Sequence, residues 1–250
     1  MALQWLGDDV NDWPDVAEAQ RERDGLVAVG GDLNTERLLA AYQRGIFPWY
    51  SEDQPICWWA LSPRMVLKPE NLHVGRSLAK NIRNRHYAIS VNQQFSAVIN
   101  ACARMQRPGQ DGTWLTQELQ WALKQMYRAG HAHSFEYWQA TEDDTGSLQL
   151  LGGLYGIQIG QVFFGESMFA LRTDASKIAL AALVCLCRRH GITLIDCQQN
   201  TQHLASLGGR EIPRADFLRH VDSARQQPPI TWQFEPVYWD ELLPPKTDPA

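Results

Sequence analysis

The spacing of hydrophobic positions changes near residue 130. Before that point, apolar residues recur at helical spacing in short segments. Residues 1 to about 34 keep no period and hold Trp13-Pro14 among several Asp and Gly residues, which predicts irregular structure. A first helix is predicted over 35–44, with Asn34 as its N-cap and Gly45 as its stop. The stretch 45–50 reads as an apolar loop, because Pro48 biases Phe47 away from helix. A short strand over 65–67, a basic helix over 75–85 and a strand over 87–91 follow. Asn92 is expected to cap a helix running to about Met105, and a polar loop over 106–112 leads to a helix that Thr116 caps and Gly130 ends.

Beyond residue 130 the pattern turns to long strands over 131–139, 148–159 and 161–169, separated by the polar loop 141–147 and a turn at Gly160. Asp174 or Ser176 opens an apolar helix that runs to about His190 and stops at Gly191. A buried strand is read over 192–196, then short helices over 200–207 and 213–225, and a tail rich in Pro and Trp that wraps the surface. This order of elements predicts an α+β fold. A small N-terminal α/β domain occupies 1–63, and a C-terminal domain with a mixed sheet and helices occupies 64–250.

A chain of 250 residues buries enough surface to fold without disulfide or metal staples. Its five cysteines are an odd number with no CxxC pair, which suits reduced thiols in the cytosol. The first residues lack a basic segment followed by an apolar one, and the longest apolar run, 178–187, is too short to span a bilayer. A soluble, cytoplasmic protein away from membranes is therefore expected. The net charge of −5 argues against a nucleic-acid partner until its distribution is considered. Residues 62–86 carry Arg64, Lys68, Arg76, Lys80, Arg83 and Arg85 against the single acid Glu70, whereas residues 1–36 carry nine acids and two arginines. On a helix Arg76, Lys80 and Arg83 fall on one face, a footprint suited to phosphates.

Two clusters carry candidate chemistry. In the run 194–200 an apolar strand turns acidic and amide-rich at its end, placing Asp196 and Gln198 at the sheet edge where α/β ligand sites fall. The plainer reading is an N-cap and turn before the next helix. In the run 163–169, Glu166 lies inside an apolar strand where an isolated carboxylate is costly to bury. Alternation puts it on one face with Phe164 and Met168, which fits a pocket for a ligand part apolar and part cationic. The aromatic set Tyr42, Phe47, Trp49, Tyr50, Trp58, Trp59 and Trp114 suits base stacking at exposed positions and core packing elsewhere. His131 and His133 share a strand face, but no Cys or carboxylate stands at ligand spacing beside them. No phosphate-cradling glycine loop and no Gly-x-Ser-x-Gly elbow is present.

Six ordered blocks then match a known family: Gly30-Gly31-Asp32-Leu33, the run 41–49, Gly112-Thr113-Trp114, the run 130–134, the run 165–169 and the run 194–198. Together they resemble the leucyl/phenylalanyl-tRNA–protein transferases across roughly residues 25 to 220. The resemblance implies a GNAT-like acyltransferase fold for the C-terminal domain and an enzyme needing no ATP, metal or bound cofactor. Its substrates would be leucyl- or phenylalanyl-tRNA and proteins beginning with Arg or Lys, whose products are marked for degradation. By motif, Asp196 and Gln198 fall at the family's proposed catalytic pair and Glu166 at a functional acid. Trp49 and Trp114 fall where aromatics meet the donor's terminal adenosine, with Tyr42 counted among the substrate-binding residues. Phe163 and Met168 would line the donor side-chain pocket, and Leu154 stands where the family can carry Met.

Elementary chemistry agrees with this reading. Aminoacyl-tRNA is an activated ester, and the attacking α-amino group, with a pKa of about 7.7–8.0, must shed a proton. Asp196 is the expected proton holder, Gln198 the expected orienting group, and Glu166 or Asp196 the expected acid for the acceptor's cationic side chain. The tRNA body is expected on Arg76, Lys80, Arg83 and Arg85, and the protein is expected to be a monomer. Two rivals stand beside this reading. An acetyl-CoA enzyme would need a glycine-bearing loop before a helix, and the segment 170–174 has no glycine. A non-catalytic tRNA-binding module would need only the basic helix.

Overall fold

A computed structural model describes residues 3–16, 24–84, 86–105, 113–141 and 146–243. Its N-terminal part builds a four-stranded sheet in the order β1 (Gln4–Leu6), β2 (Leu26–Gly30), β4 (Cys57–Trp59), β3 (Phe47–Pro48). β1 runs parallel to β2, and the other pairs are antiparallel. Helix α1 (Thr35–Tyr42) joins β2 to β3, and the Asn34 side chain caps it by accepting from the Arg37 amide at 2.8 Å. The chain leaves this helix through Gly45 at φ +69°, a conformation that favours glycine, and a Cβ there would come within 2.7 Å of the Leu218 side chain and 3.0 Å of the Phe217 ring. The expected loop at 45–50 contains β3. Pro48 is tolerated there because β3 is the sheet's edge strand.

The larger sheet has seven strands, in the order β11 (Arg210–Ile212), β5 (Arg64–Leu67), β10 (Ile195–Gln198), β9 (Val162–Ala170), β8 (Leu148–Ile159), β7 (Ala132–Ala140), β6 (Ala88–Val91). The pair β9–β10 is parallel and the rest are antiparallel, so the sheet is mixed. A parallel pair needs a crossover, and α5 (Ala175–His190) supplies it. This helix is apolar nearly all round and buried without a break from Ile178 to Cys187, as expected of an element covered on every side. The opposite face of the sheet packs against α3 (Phe95–Arg104) and α4 (Gln117–Arg128). Their buried residues join those of β2, β4 and α1 in one core that includes Leu38, Trp58, Phe95, Leu123 and Phe164. Each such side chain contributes about 1.5–3 kcal/mol on burial.

Helix α2 (Arg76–Asn84) is the expected basic helix, and Leu78 and Ile82 seat it. Arg85, the loop 106–112 and residues 142–145 of the loop 141–147 lie outside the described residues. One cap differs from expectation. Asn92 turns the chain at φ +62°, accepting from the Ser134 amide and meeting His133 Nδ1 at 3.0 Å. Helix α3 starts after Gln94, where the buried carboxylate of Glu136 takes the Gln93 and Gln94 amides at 3.4 and 3.3 Å. Asp174 opens α5 from the N-cap position as expected, while its carboxylate binds Asn81 of α2 and Lys177, both at 2.9 Å, and takes no helix amide. After α6 (Gln202–Ser206) and α7 (Arg214–Ala224), the tail lays Trp232, Phe234 and a 3-10 turn (Pro236–Glu241) along the cluster around α5. Arg188 fixes this strap, donating to the carbonyls of Pro69 and Glu241.

Candidate active site

β9 and β10 pair only through Ile195 with Phe163 and Asp196 with Phe164. Past those residues the parallel neighbours part, and a cleft occupies the gap. Each strand carries a bulge at this point. On β9 the register slips between Tyr155 and Gly156, leaving Glu166 as the extra residue between Gly165 and Ser167. On β10 it slips between Asp196 and Gln198, and Gln198 adopts φ +53°, a conformation uncommon for a residue with a side chain. Bulges re-aim side chains, and these two bring Glu166 and Gln198 together: Gln198 Nε2 donates to Glu166 Oε1 at 3.2 Å. The strand therefore continues through Gln198 rather than stopping at Asp196 as the sequence suggests.

Two cavities meet there. A smaller one of about 110 Å³ is walled by Phe47, Pro48, Trp49 and Trp114. A larger one of about 320 Å³ has the mainly apolar lining Leu154, Phe163, Met168, Leu180, Leu183 and Ile195. Glu166, Cys197, Gln198 and Gln199 line both. Trp49 and Trp114 are half-buried, with Trp49 held by its amide on Cys57 O and by the Trp59 indole on its carbonyl at 2.7 Å. Tyr50 and Trp58 are core residues, as the packing alternative expects. The extra residue at 166 also reverses the predicted alternation. Phe164 faces Tyr42 and Phe217 on the core side, while Phe163 and Met168 share the cavity side with Leu154.

The two carboxylates have unlike surroundings. Glu166 remains reachable from the cleft, yet the protein around it strips away water, and burial pushes its carboxyl from 4.5 up to about 8. Nearby Asp196 pushes the same way; the Tyr42 hydrogen bond and Arg64 oppose it. Tyr42 is 0% exposed and lies behind the cavity wall rather than in it, donating its hydroxyl to Glu166 Oε1 at 2.9 Å. Burial, then the neighbouring Glu166, raises its own pKa well above 10, so it stays a donor. Asp196 is also 0% exposed. Arg64 grips it bidentately, Nε to Oδ1 and Nη2 to Oδ2, both at 2.7 Å, and the Gln198 amide donates to Oδ1 at 3.1 Å. The guanidinium lies between the rings of Phe47 and Phe217 at 4.8 and 4.7 Å. Asp196 thus faces Arg64 and its own strand, and Glu166 faces the cleft.

Sequence reading missed Arg64, although an arginine opening the apolar strand 64–67 was a usable sign. It also missed Leu180 and Leu183, which the apolar pattern of α5 assigns to core without saying that they border a cavity. Arg76, Lys80 and Arg83 are exposed on α2, away from the cavity lining. His133 stacks on Trp232, and burial lowers its pKa to about 4. Among the described residues no group of three or more His, Cys, Asp or Glu is placed to hold a metal, and no helix is long and apolar enough to cross a membrane.

A cleft with an aromatic mouth, an apolar depth and an acid between them can hold a flat ring and an apolar side chain on either side of a reacting centre. Residues 66–222 match the family described as Leucyl/phenylalanyl-tRNA protein transferase, and residues 31–62 match its N-terminal domain. A protein of Burkholderia multivorans named Leucyl/phenylalanyl-tRNA--protein transferase is 50% identical over 240 residues, covering 93% of this chain and 91% of its own. Proteins of the same name from Paraburkholderia xenovorans (48% identity, 97% and 99% coverage) and Ectopseudomonas mendocina (51%, 88% and 93%) are similarly close. A solved structure of a functionally unknown conserved protein from Staphylococcus epidermidis covers 57% of this chain and 66% of its own at 11% identity, with a TM-score of 0.27, too slight a likeness to bear on the fold. These matches define the class first: the chain is an enzyme, a tRNA-dependent aminoacyltransferase. It belongs to the leucyl/phenylalanyl-tRNA–protein transferase family.

Proposed function

We propose that the protein moves leucine or phenylalanine from charged tRNA to the α-amino group of an N-terminal Arg or Lys, marking the acceptor for degradation in the cytoplasm. The observation that carries the reading is the junction of the two cavities at Glu166 and Gln198. The donor's terminal adenosine stacks at Trp49 and Trp114, its side chain fills the cavity of Leu154, Phe163 and Met168, and its ester carbonyl lies between them. The amine nitrogen bonds to the carbonyl carbon, the carbon–oxygen bond to the ribose breaks, and one amine proton ends on the ribose oxygen. No energy source or cofactor is needed because the ester is already activated. Much of the rate then comes from holding both substrates in attack geometry. Glu166 is the carboxyl placed to take the amine's proton, and Gln198 orients the amine. Asp196, occupied by Arg64, acts by holding the Gln198 turn. The splayed parallel pair in a mixed seven-stranded sheet supports a GNAT-like catalytic domain over 64–250, with 1–63 as the N-terminal domain that supplies Phe47, Pro48 and Trp49 to the aromatic wall. Transfer of labelled leucine onto an Arg-starting protein tests the whole reading. Its absence with folded enzyme and leucyl-tRNA would falsify it.

Two outcomes follow from this placement. Trp49→Ala and Trp114→Ala should each weaken a puromycin-like donor analogue by about 1–3 kcal/mol through lost stacking. Unchanged affinity in folded variants returns both residues to a packing role. Charge reversal on α2, Lys80→Glu with Arg83→Glu, should weaken full-length aminoacyl-tRNA and flatten its salt dependence, because phosphate contacts release counterions. A minimal aminoacyl-adenosine does not reach that face, so its transfer rate should hold. Equal losses for both donors across a salt series would remove α2 from tRNA binding.

A further inference from the structure

The strap over 228–243 lies outside the family-matched span 66–222, yet its Trp232 packs on the sheet face that carries the apolar cavity. The indole stacks on His133 with centroids 4.1 Å apart and planes 12° apart. It tilts against Phe163 at 5.3 Å and meets Phe135 edge-on at 6.1 Å. Its Nε1–H donates to Gln158 Oε1 at 2.5 Å, and Gln158 is itself anchored by donating Nε2 to Gly160 O at 2.9 Å. Burial keeps His133 neutral near pH 7, so the stack is uncharged. Three ring contacts and a directional hydrogen bond leave the indole one orientation.

Phe163 is held from several sides. Its backbone pairs with Gln158 on β8, its ring abuts Trp232, and Gly156 approaches so closely that a Cβ there would come within 2.5 Å of the ring. Close-packed neighbours of this kind transmit a change of volume to the side chain they hold. The cavity of about 320 Å³ is the open space beside it. We propose that Trp232 is a positioning residue that sets the depth of this cavity, and with it the choice among apolar donor side chains, by fixing the Phe163 ring. The proposal rests on the reading of the cavity as the donor side-chain pocket. If Trp232 served only to cover the sheet, its loss would lower stability and slow every donor alike.

The test compares kcat/KM for leucyl-, phenylalanyl- and tryptophanyl-adenosine in four full-length proteins: the parent, Trp232→Leu, Phe163→Leu and the double variant. Ratios between donors do not depend on the fraction of folded enzyme. Trp232→Leu should shift the tryptophanyl-to-leucyl ratio about tenfold toward the bulkier donor, the scale a pocket shows for small changes in apolar volume. In the Phe163→Leu background the same substitution should shift it by less than about twofold, because the residue it acts through is gone. An unchanged ratio for Trp232→Leu, or an equal shift in both backgrounds, overturns the proposal. If Phe163→Leu itself leaves the ratio unchanged, the cavity is not the donor pocket, and the reading beneath falls together with the proposal.

Discussion

Arg64→Ala is expected to cost about 3–5 kcal/mol of folding stability and nearly all transfer activity. The guanidinium is 1% exposed and Asp196 is 0% exposed, so deleting the cation strands a carboxylate where water cannot reach it. The two losses have separate causes, and a compensated variant tells them apart. Replacing the pair by apolar groups, Arg64→Met with Asp196→Leu, removes both buried charges together. Such swaps are often neutral or stabilising, so most of the lost stability should return in urea denaturation. Turnover should not return, because the Gln198 amide loses the Oδ1 acceptor that it meets at 3.1 Å and with it the turn at φ +53°. Asp196→Ala alone should likewise lower single-turnover transfer far more than donor affinity. If the apolar double variant regains turnover, or if Asp196→Ala keeps near-normal turnover with a raised donor KM, Asp196 does not hold the catalytic turn.

The parts of this architecture that depend on local chemistry were readable in the chain. Asn34 and Thr116 cap helices as their side chains predict, and Gly45, Gly130 and Gly191 take the positive φ that ends a helix. The long strands after residue 130 follow from their runs of β-forming residues. What the chain did not disclose is non-local. A bulge is an extra residue defined only against a partner strand, so the alternation through 163–169 gave Glu166 one right companion, Met168, and one wrong one, Phe164 in place of Phe163. Family resemblance named Phe163 and Met168 for the pocket where periodicity named Phe164 and Met168. The partner of Asp196 is likewise hidden: Arg64 enters from β5, far away in sequence, and only the sheet order β5-β10-β9 brings the two together. Tyr42 shows the converse, an aromatic in a diagnostic block whose place is behind the site, where it orients Glu166.

Glu166→Gln is expected to lower turnover by on the order of 10²–10⁴-fold, the usual worth of a positioned proton acceptor, while leaving donor affinity nearly intact. Glutamine keeps the shape and an oxygen for Tyr42 and Gln198 to reach, and it loses the ionisation. The pH behaviour carries the sharper evidence. Burial holds the carboxyl at about 8 in the folded protein against 4.5 ordinarily, so the folded state binds the proton more tightly. Its contribution to stability is full below about 4.5, declines as pH rises, and is lost once pH passes about 8. The parent protein should therefore lose stability relative to Glu166→Gln between those two values and run parallel to it above them. Transfer by the parent should rise with pH through a limb near 8, where the carboxyl becomes able to accept a proton. In Glu166→Gln only the acceptor amine's own ionisation should remain. Carboxyl 13C labelling reads the same group directly: a Glu166 signal titrating near 4.5 would show an ordinary surface acid and end its assignment as the proton acceptor.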